Sequence, residues 1–133
     1  MILVDSNVLM YAAGTEHPHK APAARFLERV SAGGVEAVID AEVLQEILHR
    51  YRALDRWNEG RRVYDLARAI FPLAIPVTAE VMDRARRLLD QHNGLGARDA
   101  VHAAVVETHA LASLCSFDRD FDRIPGLRRI EPT

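Results

Sequence analysis

The sequence holds one cysteine, one lysine and no long apolar run, and each scarcity closes off a class of protein. With Cys115 alone, no internal disulfide can form and no oxidising compartment is implied. Cys115 lies in the apolar run LASLCSF without the cationic surroundings that lower a thiol pKa, so it reads as a buried structural thiol rather than a nucleophile. No uninterrupted apolar stretch approaches the roughly 20 residues of a membrane-spanning helix, and no basic segment leads into the first apolar residues. The expectation is a soluble cytoplasmic protein with no membrane partner. A Gly-rich loop ending in Lys-Ser or Lys-Thr is missing, which excludes a P-loop nucleotide switch. The formal net charge of -2 excludes a protein that holds nucleic acid by being basic all over. Lys20 is the only lysine among 17 basic residues. The planar donor fork of the arginines suits phosphate and carboxylate partners, although GC-rich coding produces the same bias.

What is present is an alternation of short apolar runs and longer helical patterns over 133 residues, 49% of them hydrophobic. ILVD (2–5), VEAVID (35–40), AIPV (74–77) and LASLCSFD (111–118) read as strands, with an edge strand at Arg128 to Ile130. Helical periodicity covers 6–13, 19–31, 41–53, 57–70, 79–91 and 97–109, with Gly33-Gly34 ending the second helix. There is no repeat, low-complexity segment or linker. This alternation predicts one three-layer α/β domain over residues 1–133, a mainly parallel sheet flanked by helices.

Three of the strands end on a carboxylate: Asp5, Asp40 and Asp118. In an open parallel sheet, ligands bind outside the carboxyl ends of the strands, where residues from distant parts of the chain meet. Two helices add further acids. In IDAEVLQEILHRY, Val43, Leu44, Ile47, Leu48 and Tyr51 form an apolar face, leaving Glu42 in the first turn and Glu46 one turn deeper, nearer the apolar boundary. Glu42 is explained by the helix dipole alone, Glu46 less so. In GLGARDAVHAAVVETHA, Asp99 opens a helix whose Ala100, Ala103 and Ala104 allow close packing. Capping or turn formation accounts for each of these acids singly. Together, carboxylates without matching cations repel one another, a cost that a hard divalent cation removes by coordination. Oxygen donors of this kind suit Mg²⁺ or Mn²⁺, and such a cation promotes phosphodiester hydrolysis. His102, one turn after Asp99, reads as a packed or hydrogen-bonded residue, and the other histidines show no zinc-ligand spacing. Arg50, Arg52, Arg56, Arg61, Arg62 and Arg68 form either an RNA-tracking groove or a solvated surface interleaved with acids.

The segments ILVDSNVLMYA, VIDAEVLQEIL, GARDAVHAAVV and CSFDRDF, in this order, resemble the PIN-domain family, and within it the VapC toxins of toxin-antitoxin pairs. The resemblance implies a parallel sheet flanked by helices, acids that chelate Mg²⁺ or Mn²⁺, endoribonuclease activity, a homodimer and a cognate antitoxin. It also implies a catalytic and metal-binding set of Asp5, Glu46, Asp99 and Asp118, with Ser6 and Asn7 bonding to Asp5 or to the substrate phosphate. Two departures matter. Asp40 stands where a serine is common, and Glu42 competes with Glu46; near Asp118, Ser116 replaces a common threonine and Asp120 is the second choice. Two rival readings remain. An aspartyl phosphatase expects a carboxylate two residues after Asp5, where this chain has Asn7, and a catalytically inactive RNA- or protein-binding PIN-like module would have no use for four matching acids.

Overall fold

Runs of consecutive apolar residues become the strands of a sheet covered on both faces. The computed structural model describes residues 1–133. Its strands are β1 (Ile2–Val4), β2 (Ala37–Asp40), β3 (Ala74–Ile75), β4 (Ser113–Cys115) and β5 (Arg129–Ile130). They lie in the order β3-β2-β1-β4-β5, and every pairing is parallel. Parallel neighbours require crossovers, which the helices supply. These are α1 (Ser6–Ala13), α2 (Lys20–Ser31), α3 (Ala41–Ala53), α4 (Trp57–Ile70), α5 (Ala79–Gln91) and α6 (Ala97–Thr108), with a 3-10 turn at Arg119–Arg123. The strands are shorter than the sequence predicts, above all 111–118, where pairing is confined to Ser113–Cys115. Asp118 consequently does not end a strand but caps the 3-10 turn, its Oδ1 accepting from the Asp120 N–H at 2.9 Å.

Alternation along each strand sorts the core into two layers. Leu3, Val38 and Leu114 face α5 and α6, packing with Val81, Leu88, Val105 and Phe121. Val4, Ile39 and Cys115 face the other way, toward α1 to α4, packing with Leu9, Phe26, Ile47 and Val63. This is the three-layer α/β arrangement expected. The C-terminal turn of α2 unwinds at Gly33, whose φ of +78° favours glycine, as the sequence implies. No helix is long and apolar enough to cross a membrane.

α3 and α4 cross so closely at Gly60 that an added methyl would sit 2.4 Å from Tyr51 Cβ. Gly60→Ala is therefore expected to destabilise the fold by about 1–3 kcal/mol, despite alanine's better helix propensity. A urea titration that finds the variant more stable would contradict this packing.

Candidate active site

β1 runs out at Val4, and Asp5 begins the next helix at the point where the sheet order reverses, since β2 and β4 flank β1. Asp5 is 5% exposed. Its N–H donates to the Cys115 carbonyl at 3.0 Å, which ties the ends of β1 and β4 together. Its Oδ1 accepts from the Ser6 N–H at 2.7 Å and its Oδ2 from Ser116 Oγ at 2.6 Å. Ser116 Oγ in turn accepts from Asn7 Nδ2 and from the Asp118 N–H, each at 3.0 Å, so one buried hydroxyl uses its whole capacity to join α1, β4 and the Asp118 turn. Burial pushes the Asp5 carboxyl pKa up, with His102 and Ser116 opposing. Capping thus does not take Asp5 out of the cluster: the carboxylate that caps α1 is the one held at the sheet end by Ser116.

α3 brings a second cluster. Asp40, fully buried, caps α3 through Oδ1, which accepts from the Val43 N–H at 2.9 Å. Its Oδ2 lies 2.7 Å from His102 Nδ1. The other ring nitrogen, Nε2, is 2.6 Å from Glu46 Oε1 and 3.7 Å from Asp5 Oδ1. Glu46 Oε2 accepts from Ser6 Oγ at 2.5 Å. Two carboxylates facing both ring nitrogens make both of them donors. Burial alone would lower the imidazole pKa, but the charge of Asp40 and the hydrogen bonds to Asp40 and Glu46 outweigh it and hold the pKa well above its ordinary value. Burial works on Glu46 in the opposite sense, and there too it loses, since the bond and charge of His102 and the bond from Ser6 lower its pKa. His102 is the packed, hydrogen-bonded histidine that the sequence implies. Its link to Asp40 and Glu46 was not foreseen. One signal pointed to it: an imidazole in the apolar helix face DAVHAAVV needs a buried partner, and Asp40 was the unexplained buried-strand acid.

Asp99, in the first turn of α6, stands apart from this hydrogen-bonded network but feels it. Its carboxyl is pushed up to about 6, first by burial and then by the charges of Asp118 and Asp5, with His102 opposing. Asp5, Glu46, Asp99 and Asp118 therefore share one electrostatic environment. Glu42 lies at its edge: half-buried, 3.8 Å from Arg98, with its pKa raised by burial and by Glu46. Asp120 is on the exposed side of the turn, 3.7 Å from Arg123. The Asp5 and Glu46 carboxylates and the His102 ring lie within 4.8 Å of one another, and with both ring nitrogens donating it is the two carboxylates that keep lone pairs for an ion. Beside Glu46 opens a cavity of about 450 Å³ whose walls include Asn7, Tyr11, Arg50, Arg56 and Arg98. Of the arginines between Glu46 and Pro72, Arg50 and Arg56 reach this cavity, while Arg52, Arg61 and Arg68 are exposed and do not line it. Cys115, buried behind Asp5, has its thiol pushed up to about 12 by burial and by the Asp5 charge, which makes it unreactive.

The description "PIN domain" matches residues 2–127. The chain belongs to the PIN-domain family. Within it, the resemblance is to VapC proteins. Ribonuclease VapC13 of Mycobacterium tuberculosis is 45% identical over 130 residues, covering 98% of this chain and 99% of that protein. Ribonuclease VapC23 of the same species is 38% identical over 118 residues, covering 89% and 93%. A toxin-antitoxin complex from Klebsiella pneumoniae has the same fold, with a TM-score of 0.73 at 21% identity, covering 100% of this chain and 98% of that one. As a VapC-type PIN domain, this chain carries the parallel sheet flanked by helices that its own sequence implies.

Proposed function

We propose that this chain is a Mg²⁺- or Mn²⁺-dependent endoribonuclease, a single PIN-like domain over residues 1–133 that acts in the cytoplasm as the toxin of a two-component pair. The observation that carries this reading is the meeting of Asp5 and Glu46 beside the electrostatically coupled Asp99, with VapC ribonucleases as full-length relatives. The donor set suits a hard cation, because the Asp5 and Glu46 carboxylates meet beside the charges of Asp99 and Asp118, with His102 as the buried cation against Glu46. Asp5, Glu46, Asp99 and Asp118 would hold the ion. When bound, it supplies Lewis-acid stabilisation of phosphoryl charge and lowers the pKa of water. The remaining residues position. Ser6 and Ser116 fix the Asp5 carboxylate, Asn7 fixes Ser116, and Arg50 and Arg98, which line the cavity beside Glu46, would meet phosphates flanking the scissile bond in an RNA strand.

The toxin-antitoxin complex among the solved structures supports a cognate antitoxin as partner, and a homodimer completes the proposal. Incubating total RNA with the purified protein and Mg²⁺, Mn²⁺ or EDTA tests the activity. Discrete fragments that disappear with EDTA are expected; cleavage undiminished by EDTA would overturn the metal requirement.

The Asp99 carboxyl, pushed up to about 6 in the folded protein from an ordinary 3.8, sets a pH dependence. Cation binding requires the carboxylate, so affinity is expected to fall by about tenfold per unit as pH drops below that value and to level off above it. The sign for stability is opposite. A raised carboxyl pKa favours the folded state while the group is protonated, and that contribution is lost as pH rises from about 3.8 through about 6. Calorimetric Mn²⁺ titrations across this range check the first statement, and melting temperatures without metal check the second.

A further inference from the structure

We infer that Asp40 and His102 act as a pair of positioning residues that hold the Glu46 carboxylate in its cation-binding orientation. The inference rests on the metal-dependent reading above and concerns how this chain builds that site. Glu46 is the one member of the acidic set that reaches the site on a long, rotatable side chain from the middle of a helix. Its two oxygens are nevertheless both fixed, Oε1 by His102 Nε2 at 2.6 Å and Oε2 by Ser6 Oγ at 2.5 Å. His102 is fully buried and its ring orientation is set from behind by Asp40, 2.7 Å from Nδ1. Asp40 is also fully buried, and its second oxygen is anchored on the α3 backbone at Val43. A continuous line of hydrogen bonds thus runs from the start of α3 through α6 and back to α3 six residues later, ending on α1. An outer carboxylate that fixes a histidine, which in turn fixes a ligand, is an arrangement whose removal weakens metal binding without touching the ion.

The geometry separates this role from ordinary capping. A serine at position 40 keeps an oxygen for the Val43 N–H and loses only the reach to His102. Asp40→Ser, His102→Gln and the double variant are compared with the parent chain by calorimetric titration with Mn²⁺, at a temperature well below melting. Each single substitution is expected to weaken Mn²⁺ binding by roughly 10- to 100-fold. The double variant is expected to be no weaker than His102→Gln, because Asp40 acts through the imidazole. Unchanged Mn²⁺ affinity in folded Asp40→Ser, or additive losses in the double variant, would overturn the inference. If Asp40→Ser does not fold, His102→Gln decides the matter alone by its affinity. A second readout distinguishes positioning from ligation. The ¹⁵N–H signal of His102 Nε2 is expected to persist on saturation with Mg²⁺, and its loss would show that the imidazole itself becomes the ligand. Asp5→Asn serves as reference. If it abolishes Mn²⁺ binding while Asp40→Ser and His102→Gln do not alter it, the inference alone fails; if the parent chain binds no Mn²⁺, the metal-dependent reading fails and the inference with it.

Discussion

Asp5→Asn is expected to lower RNA cleavage by roughly a thousandfold or more, because the charge it removes is asked to supply several kcal/mol of cation-mediated stabilisation in the transition state. The fold should survive. Asparagine keeps an oxygen for the Ser6 N–H, which Asp5 bonds at 2.7 Å, and so retains the cap of α1. Its amide faces Ser116 Oγ, which now donates at 2.6 Å and whose two acceptor sites are taken by Asn7 Nδ2 and the Asp118 N–H, so the cost of the substitution is the exchange of one of these bonds. Removing a buried carboxylate whose pKa burial has raised also relieves a desolvation cost. A melting temperature near that of the parent chain together with lost cleavage is the expected pair of results. Parent-like cleavage by the variant would remove Asp5 from the active set.

The largest expected loss of stability is at Phe121. Its ring is fully buried in the layer between the sheet and α5 and α6, although it comes from a five-residue 3-10 turn. Phe121→Ala is expected to cost about 3–5 kcal/mol, from lost burial and the cavity left behind. That is a large part of the roughly 5–15 kcal/mol that holds a domain of this kind together. The position matters for function as well, since the turn that Phe121 anchors follows directly on Asp118 and, through Ser116, on the support of Asp5. Denaturant unfolding of the variant measures the effect, and a loss under about 1 kcal/mol would show that the turn does not depend on this ring.

The sheet and its flanking helices were legible because apolar runs and helical periodicity are local signals, and Leu3/Val4, Val38/Ile39 and Leu114/Cys115 alternate between the two layers. Strand ends were less legible. Leu114, Cys115 and Phe117 extend the apolar signal, but Cys115 is the last β4 residue in register with a neighbour, and the Ser116 N–H to the Ile130 carbonyl, at 3.0 Å, is the final backbone bond to β5. The apolar run therefore predicts Asp118 at a strand end, whereas it caps a turn. In the site, Asp5 and Glu46 could be anticipated from position and helix face. The Asp40–His102 link could not, because residues 62 apart in the chain become neighbours only where α6, packed on the other face of the sheet from α3, meets the end of β2. Asp40 carried a hint in being charged where its surroundings are apolar. Glu42 and Asp120 illustrate the converse: acids close in sequence to Glu46 and Asp118 lie at the rim, paired with Arg98 and Arg123.

The most direct measurement is the anomalous difference map of a crystal of the antitoxin-free protein soaked in Mn²⁺. A peak in contact with the Asp5 carboxylate and within the space bounded by Glu46, Asp99 and Asp118 is the predicted result. Mn²⁺ bound elsewhere, or none at a concentration that supports RNA cleavage, would contradict the assignment of these four acids as the metal centre.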